Sequence, residues 1–215
     1  MSEYAAQRLN MVEGQVRAND VTDKRIQDAM ASLLRERFVP ARLRSVAYMD
    51  NCLEIVRGRW LLDPRCLAKL AHLAGVESTD HVLEIGCASG YSTAVLAHLA
   101  KTVVALEEDA ELVRLAGEAL KTSANVEIVQ GRLADGFSRR APYDVIFVNG
   151  ALESRPDVLL RQLKNGGRLV AVIREGGRGQ AHLFVNSGGV FSDRIAFDAQ
   201  VPVLPGFEKV PGFVF

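Results

Sequence analysis

The 215-residue sequence has no excess charge of either sign, because 26 Lys and Arg balance 26 Asp and Glu. That excludes broad electrostatic capture of nucleic acid or an acidic membrane, leaving only local patches. No apolar run approaches the roughly 20 residues that span a bilayer. The opening MSEYAAQRLN lacks the charged-then-apolar form of a secretory leader. Cysteine is scarce, and Cys52, Cys66 and Cys87 lie far apart with no metal spacing. The four histidines, His72, His81, His98 and His182, are equally scattered. No metal site is expected, and the thiols read as buried groups of a reducing, cytoplasmic protein. A Ser-His-Asp or Cys-His set is missing too, as are internal repeats and low-complexity segments. What is present is apolar residue, 48% of the chain. That suffices for one well-packed domain with a modest addition.

The stretch that organises the chain is HVLEIGCASGYSTAVLA, His81 to Ala97. Val82 to Ile85 has strand length, Gly86 to Gly90 is a glycine turn, and Thr93 to Ala100 has helical spacing. Strand, glycine turn and helix in that order bring backbone N–H groups close to a nucleotide-type ligand. Glu107 ends a second apolar run, Val103 to Leu106, about 20 residues past the turn, where a carboxylate can accept from both hydroxyls of a ribose. A dinucleotide fold wants G-x-G-x-x-G, but Ala88 and Tyr91 stand at two of the three glycine positions. That sets a nicotinamide oxidoreductase aside. S-adenosyl-L-methionine (SAM) has no phosphate to accommodate and needs a turn under its methionine end and an acid for its ribose. The alternative is an ordinary strand-to-helix turn.

Read in order, residues 4–18 predict one helix with Leu9, Val12 and Val16 on a shared face. A second starts at Thr22 as its cap and turns Ile26, Ala29, Met30 and Leu33 inward. Pro40 ends that region, and residues 41–62 read as irregular or extended, with Asp50 capping a turn. Asp63-Pro64 opens a third helix and Gly75 closes it. Ala110 to Leu120 is helical, burying Leu112, Leu115, Ala116 and Ala119. Strands are expected at Val126–Val129, Tyr143–Val148 and Arg168–Ile173, with a helix at Val158–Leu163. Arg174 to Gly179 reads as a solvated loop. A hairpin turns about Asn186 to Gly189, and a Pro/Gly-rich tail ends in Phe213-Val214-Phe215. Alternating strand and helix implies a doubly wound, mostly parallel sheet. Ligands of such sheets sit at the carboxyl ends of the strands, here Gly86 to Gly90, Glu107, Gly131 to Leu133 and Asn149-Gly150.

With these pieces in order, the chain resembles the protein-L-isoaspartate O-methyltransferase family over nearly its whole length. The matching segments are Met11-Val12 with Gln15, Phe38-Val39-Pro40, Ala47-Tyr48 with Asp50, Gly58, Pro64, LEIGCASGYSTAVLA at 83–97, Asn125-Val126, Tyr143 to Ile146, and QLKNGGRLVAV from Gln162 to Val172. The resemblance implies a seven-stranded, Rossmann-like SAM methyltransferase fold. It divides the chain into an N-terminal helical extension with a substrate loop, residues 1–75, and a SAM-binding core, residues 76–215. It implies SAM held by Glu84, Gly86, Cys87, Ala88, Ser89, Gly90, Glu107, Arg132, Leu133 and Asn149. It also implies methyl transfer to a protein or peptide carboxylate.

Two departures bear on that function. The family's loop G-x-T-x-S-x-P, whose hydroxyls bind the acceptor carboxylate, here reads Gly58-Arg59-Trp60-Leu61-Leu62-Asp63-Pro64. Trp60 and Leu62 replace the hydroxyls, so Trp60, Leu62 and Asp63 are the substrate-loop candidates, with Arg59, Asp63 or backbone as substitute donors or orienters. The family's adenine-binding acid is replaced by Arg132, leaving backbone or Asp135 to act there. Carboxylate methylation needs no general base, because the acceptor is already ionised at pH 7. The sequence thus leaves three functions: the family reaction, a methyltransferase for a more apolar acceptor, and a SAM-binding module without turnover.

Overall fold

The computed structural model describes residues 3–209. The tail's closing Phe213-Val214-Phe215 lies outside them. The N-terminal extension begins with α1 (Glu3–Met11). The single helix expected over 4–18 instead widens into a π-helical turn, Val12–Val16, and tightens into a 3₁₀ turn, Arg17–Asn19. Met11, Val12 and Val16 are all buried. Helix α2 spans Lys24–Ser32. Its cap is Asp23, not Thr22: the Asp23 carboxylate accepts from Arg25 N at 2.8 Å. Ile26, Ala29 and Met30 face the core as expected, while Leu33 already has extended backbone past the helix end.

Residues 41–62 carry more order than their composition suggests. After a 3₁₀ turn at Ala41–Val46 come β1 (Leu53–Val56) and β2 (Arg59–Leu61), paired as an antiparallel hairpin. Asp63 then caps α3 (Pro64–Ala74), and Gly75 stops it at φ 53°, as read from the sequence. Arg35 joins the two chain segments that flank this hairpin. Its guanidinium is fully buried, donates to Ala47 O at 2.7 Å and Leu62 O at 2.6 Å, and lies 4.7 Å from the Tyr91 ring centroid. Arg35→Met removes a costly buried charge but leaves both carbonyls without a donor. It is expected to lose about 2 kcal/mol in urea unfolding.

The core alternates β3 (His81–Ile85), α4 (Tyr91–Leu99), β4 (Thr102–Glu107), α5 (Ala110–Leu120), β5 (Val126–Gln130), β6 (Tyr143–Leu152), the short α6 (Asp157–Leu160) and β7 (Leu163–Glu175). Two more strands, β8 (Arg178–Ser187) and β9 (Val190–Asp198), complete a seven-stranded sheet of order β5-β4-β3-β6-β7-β8-β9. The first five are parallel; β8 and β9 add antiparallel. Alternate residues feed two apolar clusters, as a sheet covered on both faces requires. Val82, Val103 and Phe147 join the N-terminal helices, α3 and α4 on one side. Leu83, Val104 and Ile146 join Leu159, Leu204 and Phe207 on the other.

Several local expectations are corrected. Ala119 is exposed and Leu120 is the buried residue of the last turn of α5. The helix expected at 158–163 is one turn, because Gln162 O accepts from Tyr143 N and Leu163 already starts β7. Arg174 to Arg178 is solvent-exposed as expected, but the segment is the end of β7, a two-residue turn at Gly176-Gly177 with positive φ, and the start of β8, not a loop. Strand β6 runs on through Asn149-Gly150, because Ala151 pairs with Val172 and bridges to Val203. The strand order reverses on either side of β3, so the carboxyl ends of β3, β4 and β6 form the switch-point crevice where such sheets bind ligands.

Candidate functional site

The crevice begins where β3 ends. Gly86 N and Cys87 N both donate to Leu106 O, which pins the turn to β4, and Gly90 N returns to Cys87 O at 2.9 Å. Gly86 and Gly90 have φ 79° and 93°, conformations that favour glycine, and Ala88 at φ 52° takes the same left-handed region with a side chain. Cys87 is buried against Ala105 and Ala116, and burial pushes its thiol well up. The Ser89 hydroxyl donates to Phe38 O at 2.5 Å, so this residue ties the turn to the N-terminal extension. On its outer side a groove of about 330 Å³ opens between Pro40, Val56, Ser89 and Leu115, rimmed by Arg37 and Arg44.

Three buried polar side chains surround the turn. Glu84 has no exposed surface; one of its oxygens accepts from Thr93 Oγ1 at 2.6 Å. Burial pushes its carboxyl up to about 7, while the Ser92 and Thr93 hydroxyls pull it back. Asn149 Nδ2 donates to Gly86 O at 3.0 Å and Ser92 Oγ at 2.9 Å, and its Oδ1 is buried with no donor. Glu107, fully buried at the end of β4, collects five donors. Oε1 accepts from Glu108 N at 2.9 Å and Asp109 N at 3.2 Å, and Oε2 from Ala88 N at 2.8 Å. The other two come from one guanidinium: Arg59 Nε at 3.2 Å from Oε1 and Nη2 at 2.5 Å from Oε2.

The substrate-loop candidates are placed less centrally. Trp60 is half-buried opposite Glu54 in the hairpin. Leu62 is buried in the main apolar cluster and offers the carbonyl that Arg35 holds. Asp63 is committed as a helix cap: Oδ1 accepts from Cys66 N at 2.7 Å and Oδ2 from Cys52 Sγ at 3.6 Å. It is Arg59, nearly buried on the inward side of β2, that reaches the crevice. Leu133 is buried at the expected adenine end. The Arg132 side chain, however, is 73% exposed and 3.9 Å from the equally solvated Asp135 carboxylate.

Leu204 is the residue that sequence reading missed. Leu204 N donates to Ala151 O and Ala151 N to Pro202 O, which lays residues 202–204 along the end of β6. A Cβ added at Gly150 would lie 2.6 Å from Leu204 Cγ; one at Gly86 would lie 3.0 Å from both Leu204 Cδ2 and Arg59 Nη2. Only the proline and glycine around it, in Pro202-Val203-Leu204-Pro205-Gly206, marked this segment in the sequence.

The crevice matches SAM in kind. Glu107 is an acceptor suited to vicinal hydroxyls, Gly86 and Gly150 present no Cβ, and Asn149 Oδ1 is a bare acceptor suited to an ammonium. Arg59 and Leu204 lie across this space. Among the described residues no three His, Cys, Asp or Glu side chains gather to hold a metal, and no helix is long and apolar enough to cross a membrane.

Comparison with known proteins places the chain in a family. A family model described as Protein-L-isoaspartate(D-aspartate) O-methyltransferase (PCMT) matches residues 7–201. A protein-L-isoaspartate O-methyltransferase 2 from Anaeromyxobacter sp. (strain Fw109-5) is 39% identical over 181 residues, 83% of this chain and 74% of that one. A solved protein-L-isoaspartate O-methyltransferase superposes with a TM-score of 0.81 at 25% identity, over 93% of this chain and 66% of that one. A Plasmodium falciparum structure described under the same activity, in complex with S-adenosyl-L-homocysteine, has a TM-score of 0.80. It covers 95% of this chain and 99% of that one, and at 19% identity it speaks for the fold. Residues 58–64, 86–90 and 107 lie inside the matched span, and the chain belongs to the protein-L-isoaspartate O-methyltransferase family.

Proposed function

We propose that this protein transfers the methyl group of SAM to the side-chain carboxylate of an isoaspartyl residue in a protein or peptide, in the cytoplasm. The observation that supports the reading is the fork by which Arg59, from loop 58–64, holds Glu107, whose Oε2 also accepts from Ala88 N in the turn at Gly86 to Gly90. Loop 58–64 thereby sits over the carboxyl ends of the strands, where an acceptor would face a cofactor lying across Gly86 to Gly90. Zero net charge and three free, separated cysteines are in keeping with a cytoplasmic protein acceptor rather than nucleic acid or membrane.

When bound, the cofactor supplies an electrophilic methyl group on a sulfonium sulfur. Glu107 would take its ribose hydroxyls, Asn149 Oδ1 its ammonium, and the chain at Gly131 to Leu133 its adenine. The protein's remaining task is alignment, since a carboxylate is ionised at pH 7 and needs no base. The fully buried Glu84 then orders the turn through Thr93.

The test uses methyl-labelled SAM with an isoaspartyl peptide and its ordinary aspartyl isomer. Label is expected in the first only, in a form that mild alkali releases as methanol, as a methyl ester would. Label that survives alkali would identify a different acceptor. Calorimetric binding of S-adenosyl-L-homocysteine with no labelling at all would mark a binding module without turnover.

A further inference from the structure

We propose that Arg59 is the residue that recognises the acceptor carboxylate, and that Glu107 holds it in reserve until the ribose of the cofactor takes its place. This rests on the functional reading above and names the donor that the altered loop provides.

The argument starts from what loop 58–64 offers. Leu61 and Leu62 are apolar and buried, and the Asp63 carboxylate is spent on Cys66 N and Cys52. Gly58 N is spent on Glu54 Oε1. Trp60 is half-buried and stands opposite Glu54 in the hairpin. That leaves Arg59 as the cation of this loop, with a side chain only 7% exposed. It already holds a carboxylate through two parallel N–H contacts, the fork geometry by which guanidinium recognises carboxylates. The carboxylate is Glu107, whose position after β4 also suits the ribose. One acid therefore has two claimants, and they cannot both have it.

Charge accounting shows how the exchange closes. Glu107 and Arg59 form a neutral pair. With ribose hydroxyls on Glu107, the guanidinium is left without its counter-charge beside a sulfonium, and the site is short of one negative charge. An acceptor carboxylate supplies it. Methylation joins the acceptor oxygen to the methyl carbon, breaks the carbon–sulfur bond with its electron pair left on sulfur, and moves no proton. The acceptor is now a neutral ester with no charge to offer the fork, and Arg59 returns to Glu107 once the ribose of the spent cofactor has left. Cofactor binding thus precedes acceptor binding, and loss of charge drives release.

Equilibrium binding of an isoaspartyl peptide, with and without S-adenosyl-L-homocysteine, tests this without turnover. Peptide affinity is expected to rise at least about tenfold when the homocysteine product is present, because Glu107 then gives up the fork. In Glu107→Gln, which keeps the shape but not the charge, the peptide is expected to bind as tightly without the product as with it. In Arg59→Lys, which keeps the cation and loses the fork, the peptide KM is expected to rise roughly tenfold with kcat nearly unchanged and product affinity retained. Peptide affinity indifferent to the product, or an unchanged KM in Arg59→Lys, would overturn the assignment while leaving methyl transfer intact. Failure of the wild-type protein to bind S-adenosyl-L-homocysteine would overturn both.

Discussion

Glu107→Ala is expected to remove about 3–5 kcal/mol of folding stability and to weaken S-adenosyl-L-homocysteine by more than roughly a hundredfold. The stability loss follows from what the substitution strands. Arg59 stays nearly buried with no counter-charge, and Ala88 N, Glu108 N and Asp109 N lose their acceptor together. Breaking a buried pair from one side is far costlier than replacing both partners. The double variant Arg59→Met, Glu107→Gln should therefore be more stable than Glu107→Ala, since no charge is stranded and one side-chain oxygen remains for the backbone. The affinity loss has a separate origin. Two hydroxyl donors lose a charged acceptor, each bond contributing about 1.5–3 kcal/mol, and every 1.4 kcal/mol is tenfold. Urea unfolding measures the first and calorimetry the second. Full stability in Glu107→Ala would mean that Arg59 finds water there, and undiminished affinity would remove Glu107 from the ribose site.

This pair also marks the boundary of what the sequence shows. Residues 83–97 are legible because strand, turn and helix follow one another, so local spacing carries the geometry. Asp63-Pro64 and Gly75 are legible for the same reason: a cap, a first-turn proline and a left-handed stop act within one helix. The Arg59–Glu107 contact joins residues 48 positions apart, and no periodicity encodes it. Trp60 and Leu62 are substrate-loop candidates by their place in the loop alone. Strand β2 instead turns Arg59 and Leu61 inward and leaves Trp60 half-buried, an alternation that needs the hairpin register to be known. Leu204 reaches the crevice only because residues 202–204 pair with Ala151, which depends on β6 running past Gly150. Arg132 shows the converse: its position after β5 is as expected, but its side chain points to solvent.

Glu84→Gln is expected to change how stability depends on pH, by on the order of 3 kcal/mol between pH 4.5 and pH 8. Glu84 sits beneath the glycine turn with no exposed surface, and burial raises its carboxyl from 4.5 to about 7. The Ser92 and Thr93 hydroxyls oppose that rise, Glu107 adds to it and Arg59 offsets it. Between these two pH values the folded chain keeps a proton that the unfolded chain has released. Unfolding then releases protons, so stability falls as pH rises through this window and levels off above about 7. Glutamine keeps an acceptor for Thr93 Oγ1 and cannot ionise, so this component is absent from the variant. Every other titrating group is common to the two proteins. The difference between their urea unfolding free energies isolates Glu84, provided the substitution leaves its charged neighbours in place. The variant should gain on the wild type steadily from pH 5 to pH 7 and hold a constant advantage beyond. A difference that does not vary with pH would show that Glu84 is ionised throughout, with a cation or solvent reaching the base of the turn. An opposite slope would mean that its carboxylate, not its acid, is the form the fold selects.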